Sequence, residues 1–203
     1  MIDLHTWTTP NGFKPIILLE ELGIPHRVTP VDLSKGQQRE PAHLKINPNG
    51  KIPALIDARD DGTTVTVFES GAILVYLAEK TGRFLARDGQ ARADALAWLM
   101  FQMSAVGPML GQWKHFADAK REDRYPVERF EKEVERILGV LETRLGEAEF
   151  LAGDYSIADM ATYPWVAGAT RFGVSLDAYP HVKRWVDRVG ARPAVARAMA
   201  WKP

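Results

Sequence analysis

The 203-residue sequence predicts an α+β domain followed by an all-α domain, and three observations carry that expectation. Up to Gly82, short β-rich runs alternate with helical patterns in the order βαβ, a loose segment, then ββα. From about Asp88 onward every apolar pattern has helical spacing. Between the two lies a short polar stretch, so the expected domains are 1–82 and 88–203, with 83–87 as linker. A βαβ unit joined to a hairpin implies a mixed sheet with one parallel crossover.

The elements follow in order. Residues 2–7 form a short mixed apolar run that reads as a strand, broken by Thr8-Thr9-Pro10-Asn11-Gly12. Ile16, Ile17, Leu18, Leu19 and Leu22 then mark a helix over about 11–22, stopped by Gly23, with Pro15 acceptable only in its first turn. Residues 26–33 alternate loosely as a second strand, 34–41 read as a polar loop and 42–46 as a helical turn. Residues 52–57 read as a strand opened by Pro53, Asp60-Asp61-Gly62 as a hairpin turn, and 63–68 as the β-branched return strand. A helix follows over 70–80, with Ile73, Leu74, Tyr76 and Leu77 at helical spacing before Gly82.

Beyond the linker, Leu96, Leu99, Met100 and Met103 mark one helix. Val127, Phe130, Val134, Ile137, Leu138, Leu141 and Leu145 mark a long one with a single apolar stripe. Ser156-Ile157-Ala158-Asp159 resembles a capping box opening a third, Tyr179-Pro180 precedes a fourth, and Pro193 opens a last short one.

Composition narrows the function classes. Lys+Arg and Asp+Glu are equal at 26 each, so neither nucleic acid nor an anionic membrane is an expected partner. No apolar run is long enough to span a bilayer, and Met1-Ile2-Asp3-Leu4 has none of the character of a secretory signal, so a cytoplasmic protein is expected. There is no cysteine, which excludes disulfides, thiolate metal sites and a cysteine nucleophile. No two of the five histidines lie at i,i+3 or i,i+4, so no metal site is expected. If the protein handles thiols, the reactive sulfur arrives with a ligand.

Three places carry chemistry. The turn at Thr9 and Asn11 delivers a hydroxyl and an amide to a helix start, where free N–H groups and the positive dipole end favour an anion, including a thiolate. Capping alone would also explain both residues. Ile52-Pro53 opens a strand; a cis bond there would present the Ile52 N–H and C=O to an extended ligand, while a trans bond would simply end a loop. Glu69-Ser70 sets an acid beside a helix start. Ser70 reads as the N-cap whose hydroxyl and following N–H groups suit a carboxylate, and Glu69 suits an ammonium; a plain cap is the alternative. Trp113, His115, Phe116 and Tyr125 lie between two helices and line a second-substrate pocket or pack an interface.

With these motifs in place, the chain resembles the glutathione transferase family over essentially its whole length: a thioredoxin-like domain followed by a helical one. The carrying motifs are Pro53, Phe68-Glu69-Ser70-Gly71-Ala72-Ile73 and Ser156 to Asp159. The finer resemblance is to the bacterial nu class, the YfcG-like disulfide-bond oxidoreductases. It rests on Thr9-Pro10-Asn11-Gly12, Asn49-Gly50-Lys51-Ile52-Pro53-Ala54 and Gly107-Pro108-Met109-Leu110-Gly111-Gln112. The resemblance implies glutathione contacts at Thr9, Asn11, Gln38, Lys51, Ile52, Pro53, Glu69 and Ser70. It also implies a homodimer in which Gln102 and Arg129 reach in from the other subunit. No tyrosine stands in the 8–11 turn, which sets aside a tyrosine-activated transferase mechanism. His5 reads as a strand residue packed on the core.

The expected function is therefore a glutathione-dependent disulfide reductase. It would use the thiols of one or two bound glutathiones, reduced or oxidised, on a small disulfide, with Thr9 and Asn11 at the reactive sulfur. Two alternatives are a transferase that conjugates glutathione to an electrophile, and a non-catalytic glutathione-binding or regulatory module on the same fold.

Overall fold

The structure is a computed structural model that describes residues 1–119, 123–171 and 173–203. It divides into two compact units, Met1–Leu85 with Arg192–Pro203, and Ala86–Ala191.

The first unit is a four-stranded mixed sheet with helices. Strands β1 (Ile2–Thr6), β2 (His26–Pro30), β3 (Ala54–Ala58) and β4 (Thr64–Phe68) lie in the order β2-β1-β3-β4. β1 pairs in parallel with β2 and antiparallel with β3, and β3 pairs antiparallel with β4. Helix α1 (Pro10–Leu22) makes the crossover, α2 (Pro41–Leu44) is a single turn, and α3 (Ser70–Thr81) follows the hairpin. Ile16, Ile17, Leu18 and Leu19 are consecutive and all buried. A helix apolar all round must be covered all round, and α1 packs against α3 and against α9 (Pro193–Ala200). Each such side chain contributes about 1.5–3 kcal/mol on burial. Arg192 pairs with Glu21 at 2.6 Å and Arg197 with Glu20 at 2.8 Å, which fastens the chain's last helix to α1.

Several boundaries differ from the sequence expectation. α1 starts at Pro10 and continues through Pro15 in its second turn. Proline there removes a ladder bond, and the surrounding packing holds the helix together regardless. β2 stops at Pro30; two 3₁₀ turns, Leu33–Lys35 and Gln37–Arg39, fill what reads as loop, with Asp32 capping the first and Gly36 at φ 74° between them. β3 begins at Ala54 rather than Ile52, because Pro53 has no N–H to offer the ladder.

The second unit is helical. α4 (Gly89–Phe101) runs into a π turn (Gln102–Val106) and on into α5 (Gly107–Asp118); α6 (Tyr125–Glu147), α7 (Ile157–Thr170) and α8 (Pro180–Gly190) complete it. The π turn precedes Pro108, which cannot donate into a regular ladder. Gly107 sits close against the packed side chains: a Cβ there would lie 2.9 Å from Gln102 Nε2 and 3.3 Å from Trp165 Nε1, so both would have to shift. The stripe Val134, Ile137, Leu138, Leu141 and Leu145 of α6 is buried as its periodicity predicts. Ser156 and Asp159 form the capping box of α7. The Asp159 carboxylate also accepts from Leu151 N and Trp185 Nε1, tying loop, α7 and α8 together.

Candidate functional site

Strand register gathers the site. β1 ends at Thr6 opposite Pro30 of β2; His5 faces Ala54 of β3; Ala54 faces Phe68 of β4. The turn into α1, the approach to β3, the 3₁₀ turns after β2 and the start of α3 therefore share one end of the sheet.

At the first of these, Thr9 is the N-cap of α1 and its Oγ1 accepts from Gly12 N at 3.1 Å, which leaves the hydroxyl proton to be donated. Asn11 stands in the first turn, partly exposed. The close fit depends on Gly12, where a Cβ would lie 2.0 Å from the Trp7 carbonyl oxygen. The Thr6 hydroxyl donates to the Gly12 carbonyl at 3.2 Å, holding the helix start on the strand end.

The second is the turn over 47–53. The Ile52–Pro53 bond is cis. Among the described residues, no hydrogen bond engages the Ile52 N–H or C=O. The Lys51 carbonyl just before it is fixed by two donors, His43 Nε2 at 2.7 Å and Asn47 Nδ2 at 2.8 Å. Asn47 also accepts from Asn49 N through Oδ1, at 3.0 Å. His43 and Asn47 are buried and sequence reasoning missed both; the turn-forming run Asn47-Pro48-Asn49-Gly50 could have drawn attention to the second, and nothing local marks the first. The Lys51 side chain is exposed. Gln38 lies in the 3₁₀ turn alongside, its carbonyl 3.5 Å from where a Gly50 Cβ would stand, and its Oε1 is buried without a partner. A buried acceptor of this kind is costly unless a ligand donor satisfies it.

The third place corrects the sequence reading of the cap. Glu69, not Ser70, is the N-cap of α3, with φ 71° and ψ 122°, and its side chain makes no capping bond. A non-glycine residue in that region stores about 1–3 kcal/mol of strain, and such strain concentrates at ligand sites. Ser70 is the first helical residue and is buried; its Oγ accepts from Lys14 Nζ at 3.3 Å. Lys14, on α1 and only 1% exposed, is another residue that sequence reasoning missed, because a lysine inside an apolar helix pattern reads as one at the edge of the stripe. Burial pushes its ammonium down to about 7, against the pull of Glu69. The exposed Glu69 carboxylate and the N-terminal turn of α3 thus sit side by side, as an α-amino acid headgroup requires.

The remaining expected residues belong to the second unit. Gln102 is fully buried in the π turn, and a side chain with no accessible surface meets no ligand of another subunit; its expected reach is set aside on that ground. Arg129 is exposed on α6. Trp113 lines a cavity of about 290 Å³ with Glu131, Val134, Leu138, Val174 and Tyr179. His115, Phe116 and Tyr125 do not line it: Phe116 stacks on Phe130 at 5.7 Å, His115 packs on Phe116, and Tyr125 is exposed. His5 is a half-buried residue of the central strand, 3.3 Å from Asp3, and burial pushes its imidazole down.

Sheet order, cis-proline and clustered strand ends define a thioredoxin-like protein whose active end has no cysteine. Residues 2–79 match the N-terminal domain of glutathione S-transferases and residues 105–193 the C-terminal domain. The chain belongs to the glutathione S-transferase family. It is 47% identical to the disulfide-bond oxidoreductase YfcG of Escherichia coli, over 98% of this chain and 94% of that protein. Two solved structures superpose on it with a TM-score of 0.94. One is a glutathione transferase family member from Pseudomonas fluorescens with two glutathiones bound, 43% identical, covering 98% of this chain and 92% of that one. The other is a glutathione transferase from Pseudomonas putida with one glutathione disulfide bound per subunit, 38% identical, covering 100% and 92%.

Proposed function

We propose that this protein is a glutathione-dependent disulfide reductase. The observation that carries the reading is a thioredoxin-like site with no cysteine in the chain, on a fold that holds paired glutathione in its relatives. The protein's own work is to hold and activate. Ile52 N–H and C=O pair with the cysteinyl backbone of glutathione. The Glu69 carboxylate takes its ammonium, and Ser70 with the start of α3 takes its γ-glutamyl carboxylate. Gln38 Oε1 accepts a ligand donor, and the exposed Lys51 ammonium takes the glycyl end. Thr9 and Asn11, with the dipole of α1, stabilise the sulfur as thiolate, which raises the reactive fraction near neutral pH.

Two glutathiones are the reductant substrate. The disulfide substrate accepts two electrons through a mixed disulfide and leaves as two thiols, and the two glutathione sulfurs end joined as glutathione disulfide. We assign glutathione binding to the domain over 1–82 and treat 88–203 as the helical domain, of which α9 lies back against α1. We assign the protein to the nu class and to a homodimer in which Arg129 of a second copy meets a glutathione carboxylate, a role suited to a guanidinium. We place it in the cytoplasm, where thiols are kept reduced; among the described residues no helix is long and apolar enough to cross a membrane.

The test compares glutathione-dependent reduction of hydroxyethyl disulfide with conjugation of a chlorinated nitrobenzene. Reduction should dominate, and Asn11→Ala should lower it by about tenfold or more, as expected for loss of one donor to a developing anion. Conjugation far outpacing reduction, or an unchanged Asn11→Ala variant, would overturn the reading.

A further inference from the structure

The least expected residue at the site is Lys14. Its ammonium lies beneath the first residue of α3, at the positive end of a helix dipole, fully enclosed. Placing a cation there carries a desolvation penalty that a methionine of similar volume would not. Glu69, at the junction of β4 and α3, is the carboxylate that supports the charge against this burial. The other charged groups of α1 that face a packed helix, Glu21 and Glu20, are engaged by Arg192 at the N-cap of α9 and by Arg197 within it, nearly two turns further along. The position next to Ser70 is therefore one where an added anion would act on Lys14 directly.

We propose that Lys14 is a positioning residue of the glutathione site, holding Ser70 Oγ and the α3 start for the γ-glutamyl carboxylate, and that carboxylate binding drives Lys14 to its protonated form. This rests on the glutathione reading above. Before binding, burial leaves the amine near half-protonated at neutral pH. The arriving carboxylate adds a negative charge beside Ser70, opposes that desolvation and raises the proton affinity. Glutathione binding therefore takes up a proton, and affinity rises as pH falls from about 8 to about 7. A ligand that prefers the ammonium form by about tenfold takes up about 0.4 proton on binding at pH 7.

The experiment is calorimetric titration with S-methylglutathione, whose blocked sulfur releases no proton, in two buffers of different ionisation heat at each pH: Pipes and imidazole at about pH 7.0, where the amine is half-protonated, and Mes and histidine at about pH 5.5, where it is almost fully protonated. Wild type should take up about 0.4 proton at the higher pH and close to none at the lower. Lys14→Met should bind about fivefold more weakly near neutrality and lose the uptake. A merely structural lysine would change affinity without changing proton count. Binding by wild type with no uptake near neutrality overturns this inference alone, and so does a Lys14→Met variant with wild-type affinity and uptake. Absence of any binding by wild type overturns the glutathione reading and this inference with it. Should Lys14→Met fail to fold, the wild-type difference between the two pH values decides.

Discussion

Replacing Glu69 by glycine should make the protein more stable and worse at its task. The residue sits at φ 71°, ψ 122°, a region glycine enters freely and a residue with a Cβ enters at a cost of about 1–3 kcal/mol. Glycine loses about 0.5–1 kcal/mol to its greater freedom in the unfolded chain. The net gain is about 1 kcal/mol, a rise in Tm of about 3 °C for a chain of this length. Glu69→Ala separates the two effects, because it keeps the strain and removes the carboxylate. Both variants should bind glutathione about tenfold or more weakly, having lost a charge-assisted bond to the ligand ammonium. Thermal unfolding and S-methylglutathione titration of the three proteins would show it. A Glu69→Gly variant less stable than wild type would refute the strain, and undiminished affinity in Glu69→Ala would refute the role of the carboxylate.

Two further expectations concern the scaffold. Gly12→Ala places a methyl 2.0 Å from the Trp7 carbonyl and 2.6 Å from Thr6 Oγ1, so α1 must leave the strand end; it should cost about 3 kcal/mol in urea unfolding and abolish most reductase activity, and an unchanged Tm would show the fit to be loose. Asp159 is held by four donors, from Leu151, Trp185 and the amide and hydroxyl of Ser156, and burial, outweighing those donors, pushes its carboxyl from 3.8 up to about 6. The folded protein then binds the proton more tightly than the unfolded chain. The stability from this group is full below about pH 4 and is lost as pH rises through about 6, by about 3 kcal/mol. Asp159→Asn, which turns a donor toward these donors, should lower stability by about 3 kcal/mol, with the gap to wild type narrowing between about pH 4 and about pH 7; a gap that widens would refute the assignment.

Much of the site was legible because its parts are local. Thr9 and Asn11 at a helix start, a proline at a strand start, and an acid at a strand-to-helix junction are each written in a few consecutive residues. Residues that act at a distance left no such mark. Lys14 and His43 look like ordinary members of polar-interrupted helical segments, and only their partners 56 and 8 residues away, Ser70 and the Lys51 carbonyl, reveal them. Gln102, carried over from resemblance, proved to be enclosed in a π turn that nothing in its periodicity announced.

The order of elements, the absence of any protein thiol and the helical nature of the second half could all be read from the chain alone, because propensity, turn chemistry and composition are properties of neighbouring residues. Other features took shape only on folding. The Ile52–Pro53 bond is cis, the α3 cap lies on a strained Glu69 instead of Ser70, α9 is attached to α1 through two arginine pairs, and a lysine is buried under the helix start. Those are outcomes of packing between segments far apart in the chain, where the energy of one choice depends on what the other segment places against it.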